Sequence, residues 1–500
     1  MINKRILLIC LPTAEISQIA YYLVPLGLLS IAAYLKNLGY ETQVLDTNIV
    51  IRKLRDKTES SLKETIRQKI IEFKPLMVGI SVMGARQTEM ALSAIEISKS
   101  INSDIVTVLG GAHASQFPGQ LLNNCTALDY VVIGEGEIQA SWIVKKHISN
   151  DFSAVVPDGI AFRKDKDIHV NPKSKFIMTL DSLPMPAYDQ VCLKDYANDT
   201  LNWHNPLGFD LKSRIPIMTS RGCPANCNFC SISSHMGNCF RPMSAKRVVD
   251  MLEILHEQHD VKVFAVHDAN FTRDKKRVLE ICNEIIKRRL DIAFDINSGV
   301  PLNSIYIEVI HALASVGLIR LGLSIESGDS YIRNEIMGKN FNDDQLFAVI
   351  EACREHPEVY LSTDFVMGMP EDTIHSLDKS IKLMEVLDVD EVDVTLATPF
   401  PGTKLYLQCV RDNLFFEDIN LEEFWRSKEF AWNTNRRFFI KPYKMNYEQL
   451  NHYYDLYLKV RAVKFQYYRE RMKRIFEVDS QYGLNFNRNW FPFGKRNYIS

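Results

Sequence analysis

The chain has 500 residues, 46% of them hydrophobic and 24% charged, with a formal net charge of −2. That length implies two or three domains, the composition excludes long disorder, and the near-neutral balance gives no nucleic-acid footprint, so no nucleic-acid partner is expected. Ten cysteines are too sparse for a disulfide scaffold. The short apolar run after Lys4 and Arg5 lacks a cleavage pattern, and no run approaches the ~20 apolar residues of a membrane helix, so the sequence predicts a cytoplasmic protein.

From residue 1 to about 150 the pattern alternates strand and helix, as in a Rossmann-like, doubly wound parallel sheet. Predicted strands are Ile6–Cys10, Thr42–Leu45, Leu76–Val82, Ile105–Leu109 and Tyr130–Ile133, with helices over Leu26–Leu38, which stops at Gly39, and Thr88–Ser100. Ligands of such sheets bind outside the carboxyl ends of the strands. Gly110, Gly111, Gly134 and Gly136 lie there, where glycine lets backbone approach a ligand or simply makes a turn. The stretch 151–208, spotted with Pro157, Pro172, Pro184, Pro186 and Pro206, is predicted to be an extended, semi-rigid linker.

The run Arg221-Gly222-Cys223-Pro224-Ala225-Asn226-Cys227-Asn228-Phe229-Cys230 offers three thiolates. Iron–sulfur clusters take one cysteine per iron, so three thiolates on a four-iron cluster leave one iron open to another ligand. Zinc is the alternative, with His235 or Cys239 downstream as a fourth ligand.

A second series of six strands is predicted at Ile215–Thr219, Val261–Val266, Ile292–Ile296, Ile319–Ile325, Val359–Val366 and Val392–Leu396, with helices such as Arg247–Glu257 and Lys275–Arg288 between. This describes an open (β/α)6 partial TIM barrel over residues 209–410. Candidate ligand residues fall at strand ends. Asp268 and Asn270 are either cofactor contacts or, for Asp268, an acceptor for turn donors. Ser324 and Glu326 are candidate contacts to a ligand's hydroxyl or amine groups, and Lys339 either pairs with a carboxylate or lies on the surface. Residues 411–500 are predicted to be a mainly α-helical region, with Met445–Lys473 helical. It is read as a packing cap, a lid over the substrate, or, through aromatics such as Trp432, Phe438, Phe465 and Tyr467, a peripheral membrane contact.

The triplet spacing, with Phe229 before its last cysteine, resembles the signature of the radical S-adenosylmethionine (radical SAM) enzymes. Ser324-Ile325-Glu326-Ser327-Gly328, Gly368-Met369-Pro370-Glu371-Asp372-Thr373 and Pro399-Phe400-Pro401-Gly402-Thr403-Lys404-Leu405-Tyr406 are similar to that family's barrel turns. The resemblance implies a 4Fe-4S cluster on Cys223, Cys227 and Cys230, S-adenosylmethionine on its open iron, and Phe229 near the adenine.

Val24-Pro25-Leu26-Gly27-Leu28, Asp46, Gly110-Gly111-Ala112-His113 and Gly134-Glu135-Gly136-Glu137 resemble the cobalamin-binding domain found ahead of many such enzymes. Pro25, Gly27, Gly110, Gly111, Glu135 and Gly136 are its implied cobalamin contacts. His113 either meets the nucleotide tail or bonds backbone. Residues 11–25 contain no histidine, which implies cobalamin held without a histidine beneath the cobalt.

The implied function is that of a cobalamin-dependent radical SAM enzyme. It cleaves S-adenosylmethionine to a 5′-deoxyadenosyl radical, activates a substrate carbon and transfers methyl from methylcobalamin. A small-molecule or lipid substrate and an external electron donor of flavodoxin or ferredoxin type are the implied partners. Alternatives are a radical SAM cyclase or oxidase, a methylthiotransferase-like enzyme, and a cobalamin sensor on a degenerate barrel.

Overall fold

The computed structural model describes residues 3–12, 23–151, 153–196, 214–428, 430 and 437–476. Sequence readings that fall on 13–22, on Pro206 and Gly208, and on 432–436 lie outside the described residues. The chain forms two compact units, one of Met1–Tyr196, Ser231–Gly237 and Asn420–Asn435, the other of Ala197–Cys230, Asn238–Ile419 and Arg436–Ser500.

The first unit runs β1 (Arg5–Cys10), α1 (Leu26–Asn37), β2 (Glu41–Asp46), α2 (Thr47–Lys53), α3 (Glu59–Phe73), β3 (Met77–Ser81), α4 (Thr88–Ile101), β4 (Val106–Gly110), α5 (Ala112–Gln116), α6 (Pro118–Asn124), β5 (Tyr130–Val132), α7 (Glu137–Ser149), β6 (Ile160–Lys164) and β7 (Asp167–Asn171). Its sheet has the order β2-β1-β3-β4-β5-β6-β7. The first five strands are parallel; β1, β3, β4 and β5, inside the sheet, are mostly apolar, as strands covered on both faces are, while edge strand β2 is mixed. Ile6, Leu8, Leu28, Ala32, Val108, Val132 and Ile143 form its core.

The linker expectation is corrected for residues 160–171. They form a hairpin whose first strand pairs antiparallel with β5. Asp165 makes its turn at φ 58°, a conformation that a short polar side chain tolerates. The flanking prolines disguised a strand pair that is mostly polar on its solvent side.

The second unit continues with β8 (Arg214–Ile217) and β9 (Ser220–Arg221). After α8 (Ile232–Met236), which belongs to the first unit, come β10 (Arg241–Pro242), α9 (Ala245–His259), β11 (Val263–Val266), α10 (Lys275–Arg288), β12 (Ala293–Pro301), α11 (Ile307–Ser315), β13 (Leu318–Glu326), α12 (Asp343–Arg354), β14 (Tyr360–Met367), α13 (Ile374–Val386), β15 (Glu391–Leu396), α14 (Lys404–Arg411) and α15 (Tyr447–Phe476). Strands β8 and β11–β15 make one six-stranded sheet, β15-β14-β13-β12-β11-β8, parallel throughout. This is the predicted partial barrel, in chain order and with its helices between the strands. Three register shifts interrupt it, two in the pairing of β12 with β13, between Phe294 and Asp295 and over Ile296–Val300, and one in the pairing of β13 with β14, at Ser324–Glu326.

Helix α15 packs along edge strand β15 and is tied to it by charge. Asp390, fully buried, accepts from Arg471 Nη2 at 2.5 Å, from both Arg354 Nη atoms at 3.2 Å, and from the Leu361 N–H at 2.8 Å. Removing one member of such a group leaves buried charge uncompensated. Asp390→Ala is therefore expected to cost about 3–5 kcal/mol, read as a lower denaturation midpoint for the barrel unit.

Candidate functional site

The cysteine loop leaves the barrel at the carboxyl end of β8. Asp268, buried at the end of β11, accepts from the Thr219 N–H at 2.5 Å, the Thr219 hydroxyl at 2.6 Å and the Ser220 hydroxyl at 2.6 Å. Arg277, on α10, donates to the Thr219 carbonyl at 2.9 Å and to its hydroxyl at 2.5 Å. Thr219 is thus pinned four residues before Cys223. The far side of the loop is held by the first turn of α14, where the Leu405 N–H donates to the Asn228 carbonyl at 3.0 Å. Cys223, Cys227 and Cys230, all on this loop, are outside any disulfide and partly exposed.

The donors to Asp268 come from Thr219 and Ser220, after β8, and not from the turn before α10. Asn270, also buried, accepts from the Ser304 hydroxyl at 2.8 Å. Both shape the strand ends beneath the loop. His235 meets the Ser231 carbonyl at 3.0 Å, and Cys239 is exposed with its thiol 3.8 Å from the Phe240 carbonyl. Among the described residues no three His, Cys, Asp or Glu side chains converge to hold a single metal ion. A cluster taking one thiolate per iron asks for no such convergence, so the donor set fits a cluster: three partly exposed thiols on one doubly anchored loop.

Glu326 and Lys339 face this loop as a buried ion pair, Lys339 Nζ to Glu326 Oε1 at 2.7 Å with both side chains 8% exposed. This settles the reading of Lys339, which is not on the surface. Lys339 Nζ also lies 5.8 Å from the Phe229 ring centroid. Burial alone would lower the Lys339 ammonium, but Glu326 and the Cys227 thiol hold it above the ordinary lysine value. Burial pushes the Cys227 thiol up, opposed by Lys339. Glu326 sits at φ 69°, a left-handed conformation that costs a non-glycine residue of order 1–3 kcal/mol and clusters at functional sites. Ser324, two residues earlier, is buried. Asp372 closes the Gly368–Thr373 turn by accepting from the Gly368 and Met369 N–H groups at 2.9 Å each, and burial pushes its carboxyl up to about 7.

In the first unit the predicted residues gather at the carboxyl ends of β4 and β5 and at the start of α1, but several have internal duties. A methyl group on Gly111, which sits at φ 99°, would stand 2.6 Å from the Val82 carbonyl oxygen. On Gly136 it would stand 2.7 Å from Ile31 of α1. Glu135 accepts from the Ile177 N–H at 2.9 Å. A methyl group on Gly110 would find ordinary contact distances, 3.7 Å, to Val132. His113 is buried with Nε2 2.7 Å from the Trp425 carbonyl, which is the backbone-bonding alternative. Burial lowers its imidazole to about 4.

Pro25 caps α1, and Gly27 behind it faces open space. The sequence reading passed over the end of β3. Strand order reverses about β1, and ligands bind at that point in sheets of this kind. There Gln87 donates to the Leu11 carbonyl at 2.8 Å and accepts from the Met83 N–H at 2.6 Å. Met83 is exposed and Gly84 has open space beside it. Open glycines at strand and helix ends fit a large ligand laid over the sheet. The available signal was Met83-Gly84 directly after a predicted strand.

These two sites define a radical enzyme barrel preceded by a ligand-binding α/β sheet, and comparison with known proteins gives the same pair. Residues 13–141 match the B12 binding domain family and residues 217–384 the Radical SAM superfamily. The chain belongs to the cobalamin-dependent class of radical SAM enzymes. An uncharacterised methyltransferase of Pyrococcus horikoshii is 30% identical over 391 residues, 78% of this chain and 79% of that protein. An anaerobic magnesium-protoporphyrin IX monomethyl ester cyclase of Rubrivivax gelatinosus is 26% identical over 387 residues, 75% of this chain and 64% of that one. The fold matches the solved structure of the radical S-adenosylmethionine methyltransferase TsrM from Kitasatospora setae, with cobalamin and a [4Fe-4S] cluster bound. The TM-score is 0.70 at 16% identity, covering 91% of both chains. Among the described residues no helix is long and apolar enough to cross a membrane.

Two outcomes test the site. Asp268→Ala leaves the Thr219 N–H and two hydroxyls without their acceptor, and is expected to lower iron content after anaerobic reconstitution by about half or more, measured by iron and sulfide analysis. His113 is neutral in the folded protein down to about pH 4, whereas its unfolded value is 6.5. Its contribution is full above pH 6.5 and is lost as pH falls toward 4, on the order of 3 kcal/mol in all. His113→Gln should flatten the acid limb of the first unit's thermal stability over that window.

Proposed function

We propose that the chain transfers a methyl group to an unactivated carbon of a small-molecule or lipid substrate. Residues 1–150 would bind cobalamin, 151–208 link the domains, 209–410 form the catalytic barrel and 411–500 cap it. The observation that carries this reading is the loop of three partly exposed thiols, anchored by Asp268, in a chain that also carries a B12 binding domain. Cys223, Cys227 and Cys230 would hold the cluster. Phe229, Ser324, Glu326 and Lys339 would frame the S-adenosylmethionine pocket, with Asp268 and Asn270 supporting it from below. Pro25 and Gly27, with Met83 and Gly84, offer the open surface on which cobalamin would lie, and Gly110, Gly111, Glu135 and Gly136 shape the loops around it. When bound, cluster and S-adenosylmethionine supply a 5′-deoxyadenosyl radical, and cobalamin supplies a transferable methyl group. The chain's own part is to hold these groups and exclude water. Electrons would come from a flavodoxin- or ferredoxin-type donor.

A second reading, ring closure or oxidation with the same cofactors, is favoured by the likeness to the Rubrivivax cyclase.

Anaerobic reconstitution followed by optical spectra and analysis of S-adenosylmethionine products tests the proposal. The expected result is iron–sulfur absorbance, 5′-deoxyadenosine formed under a low-potential reductant, and saturable hydroxocobalamin binding. Cluster absorbance that survives replacement of all three cysteines by alanine sinks the radical assignment, and failure to take up hydroxocobalamin sinks the methyl-transfer assignment alone.

A further inference from the structure

One arginine organises the turn that carries the chain from Glu326, at the end of β13, to Lys339. Within that turn Ile332–Ile336 winds as a π-helix, a rare form found mostly as single turns and frequently at functional sites. Arg333 lies in it with 1% of its surface exposed. Its Nη2 donates to Asp343 Oδ1 at 2.8 Å and to the Phe341 carbonyl at 3.4 Å, and its Nη1 to the Ser327 carbonyl at 3.5 Å. Its Cζ stands 4.4 Å from the Phe341 ring centroid. Nε, also buried, has no partner among the described residues, so the two Nη ends fix where the group lies.

Stability does not account for this arginine. A buried guanidinium is costly to desolvate, and an apolar side chain of similar volume is often as good or better. The countercharge, Asp343, has 59% of its side chain exposed, so solvent screens much of what the ion pair returns.

Its contacts share a position instead. Ser327 directly follows Glu326, Phe341 lies just beyond Lys339, and the Lys339 N–H itself donates to the Arg333 carbonyl at 3.1 Å. Asn334 repeats the grip on the far end, donating to the Phe341 carbonyl at 3.0 Å and accepting from its N–H at 3.2 Å. Arg333 therefore holds both ends of the turn, the one that bears the carboxylate and the one that bears the ammonium.

We propose that Arg333 is a positioning residue, setting where the Lys339 ammonium stands against the cysteine loop and, through that charge, the reduction potential of the cluster. The ammonium is 5.8 Å from the Phe229 ring centroid and acts on the Cys227 thiol. Net charge around a cluster tunes its potential. A positive charge favours the reduced, more negative form, so displacing the ammonium lowers the potential. The placement rests on the structure alone; its effect on a potential rests on the reading of Cys223, Cys227 and Cys230 as cluster ligands.

The test is a double-mutant cycle on the anaerobically reconstituted full chain, read as the cluster's midpoint potential without S-adenosylmethionine. Arg333→Lys keeps the charge but loses the planar fork that reaches two carbonyls. Lys339→Met is expected to lower the reduction equilibrium constant about ten-fold, or about 59 mV for one electron, and Arg333→Lys about five-fold. In the Lys339→Met background, Arg333→Lys should change it by less than about two-fold, the scatter of independent sites. Equal shifts in both backgrounds overturn the proposal, because the arginine then acts without the lysine. So does an unshifted potential in Arg333→Lys at wild-type iron content. Where Arg333→Lys takes up no iron, Asp343→Asn at the exposed end of the clamp replaces it. A shift in the same direction that vanishes in Lys339→Met supports the proposal, and no shift overturns it.

The apoprotein gives a second readout, the rate at which iodoacetamide alkylates Cys227, resolved by peptide mass spectrometry. A neighbouring ammonium promotes the thiolate, so Arg333→Lys and Lys339→Met should both react at least about three-fold more slowly than the wild type. A wild type that forms no cluster sinks the radical assignment, whereas equal alkylation rates in all three proteins sink the positioning role, so the two failures are told apart.

Discussion

A single carboxylate fixes the point from which the cysteine loop departs. Asp268 takes three hydrogen bonds from Thr219 and Ser220, and Arg277 holds the carbonyl of the same threonine. Bonds to a charged acceptor are worth about 1.5–3 kcal/mol each, so the strand end is held far more tightly than a surface loop would be. The groups that meet the loop, the Lys339 ammonium near the Phe229 ring and the Leu405 N–H at the Asn228 carbonyl, find it in place only because its origin does not move. A loop that must carry three thiolates at fixed mutual positions has little tolerance for slack.

The buried pair above the loop works differently. Taking Glu326 and Lys339 out of water is costly, and their attraction roughly offsets that cost rather than adding stability. Holding Glu326 in a left-handed conformation adds a further penalty. Structures keep such arrangements where placement of charge matters more than stability. Here the charge is an ammonium placed against cysteine thiols, with a carboxylate behind it whose position is set by a break in strand register.

Much of this was legible in the sequence because the signals are local. Strand periodicity placed all six barrel strands within a few residues, and helix α10 was read with its observed ends, Lys275 and Arg288. The cysteine spacing and the turn residues around Asp372 and Thr403 are likewise short-range patterns. What was not legible depends on partners far along the chain. Asp268 meets residues 48 and 49 positions away, and His113 meets one 312 positions away. The burial of Lys339 follows from the path of the π-helical turn Ile332–Ile336, which no propensity reports. The hairpin of β6 and β7 was hidden by prolines on either side.

The bond between His113 and the Trp425 carbonyl has a consequence for the order of events during synthesis. The sheet of the first unit is complete once β7 has emerged, yet the histidine buried behind β4 receives its partner from a residue made 312 positions after it. At typical elongation rates that is a wait of roughly 15–60 s. Throughout it the nascent sheet carries an unpaired imidazole at its ligand-binding end, and Thr88, whose hydroxyl also donates to the Trp425 carbonyl at 3.0 Å, waits with it. The amino-terminal unit therefore finishes folding late, after nearly all of the barrel has left the ribosome, and a fragment ending at Tyr196 would remain in that intermediate condition.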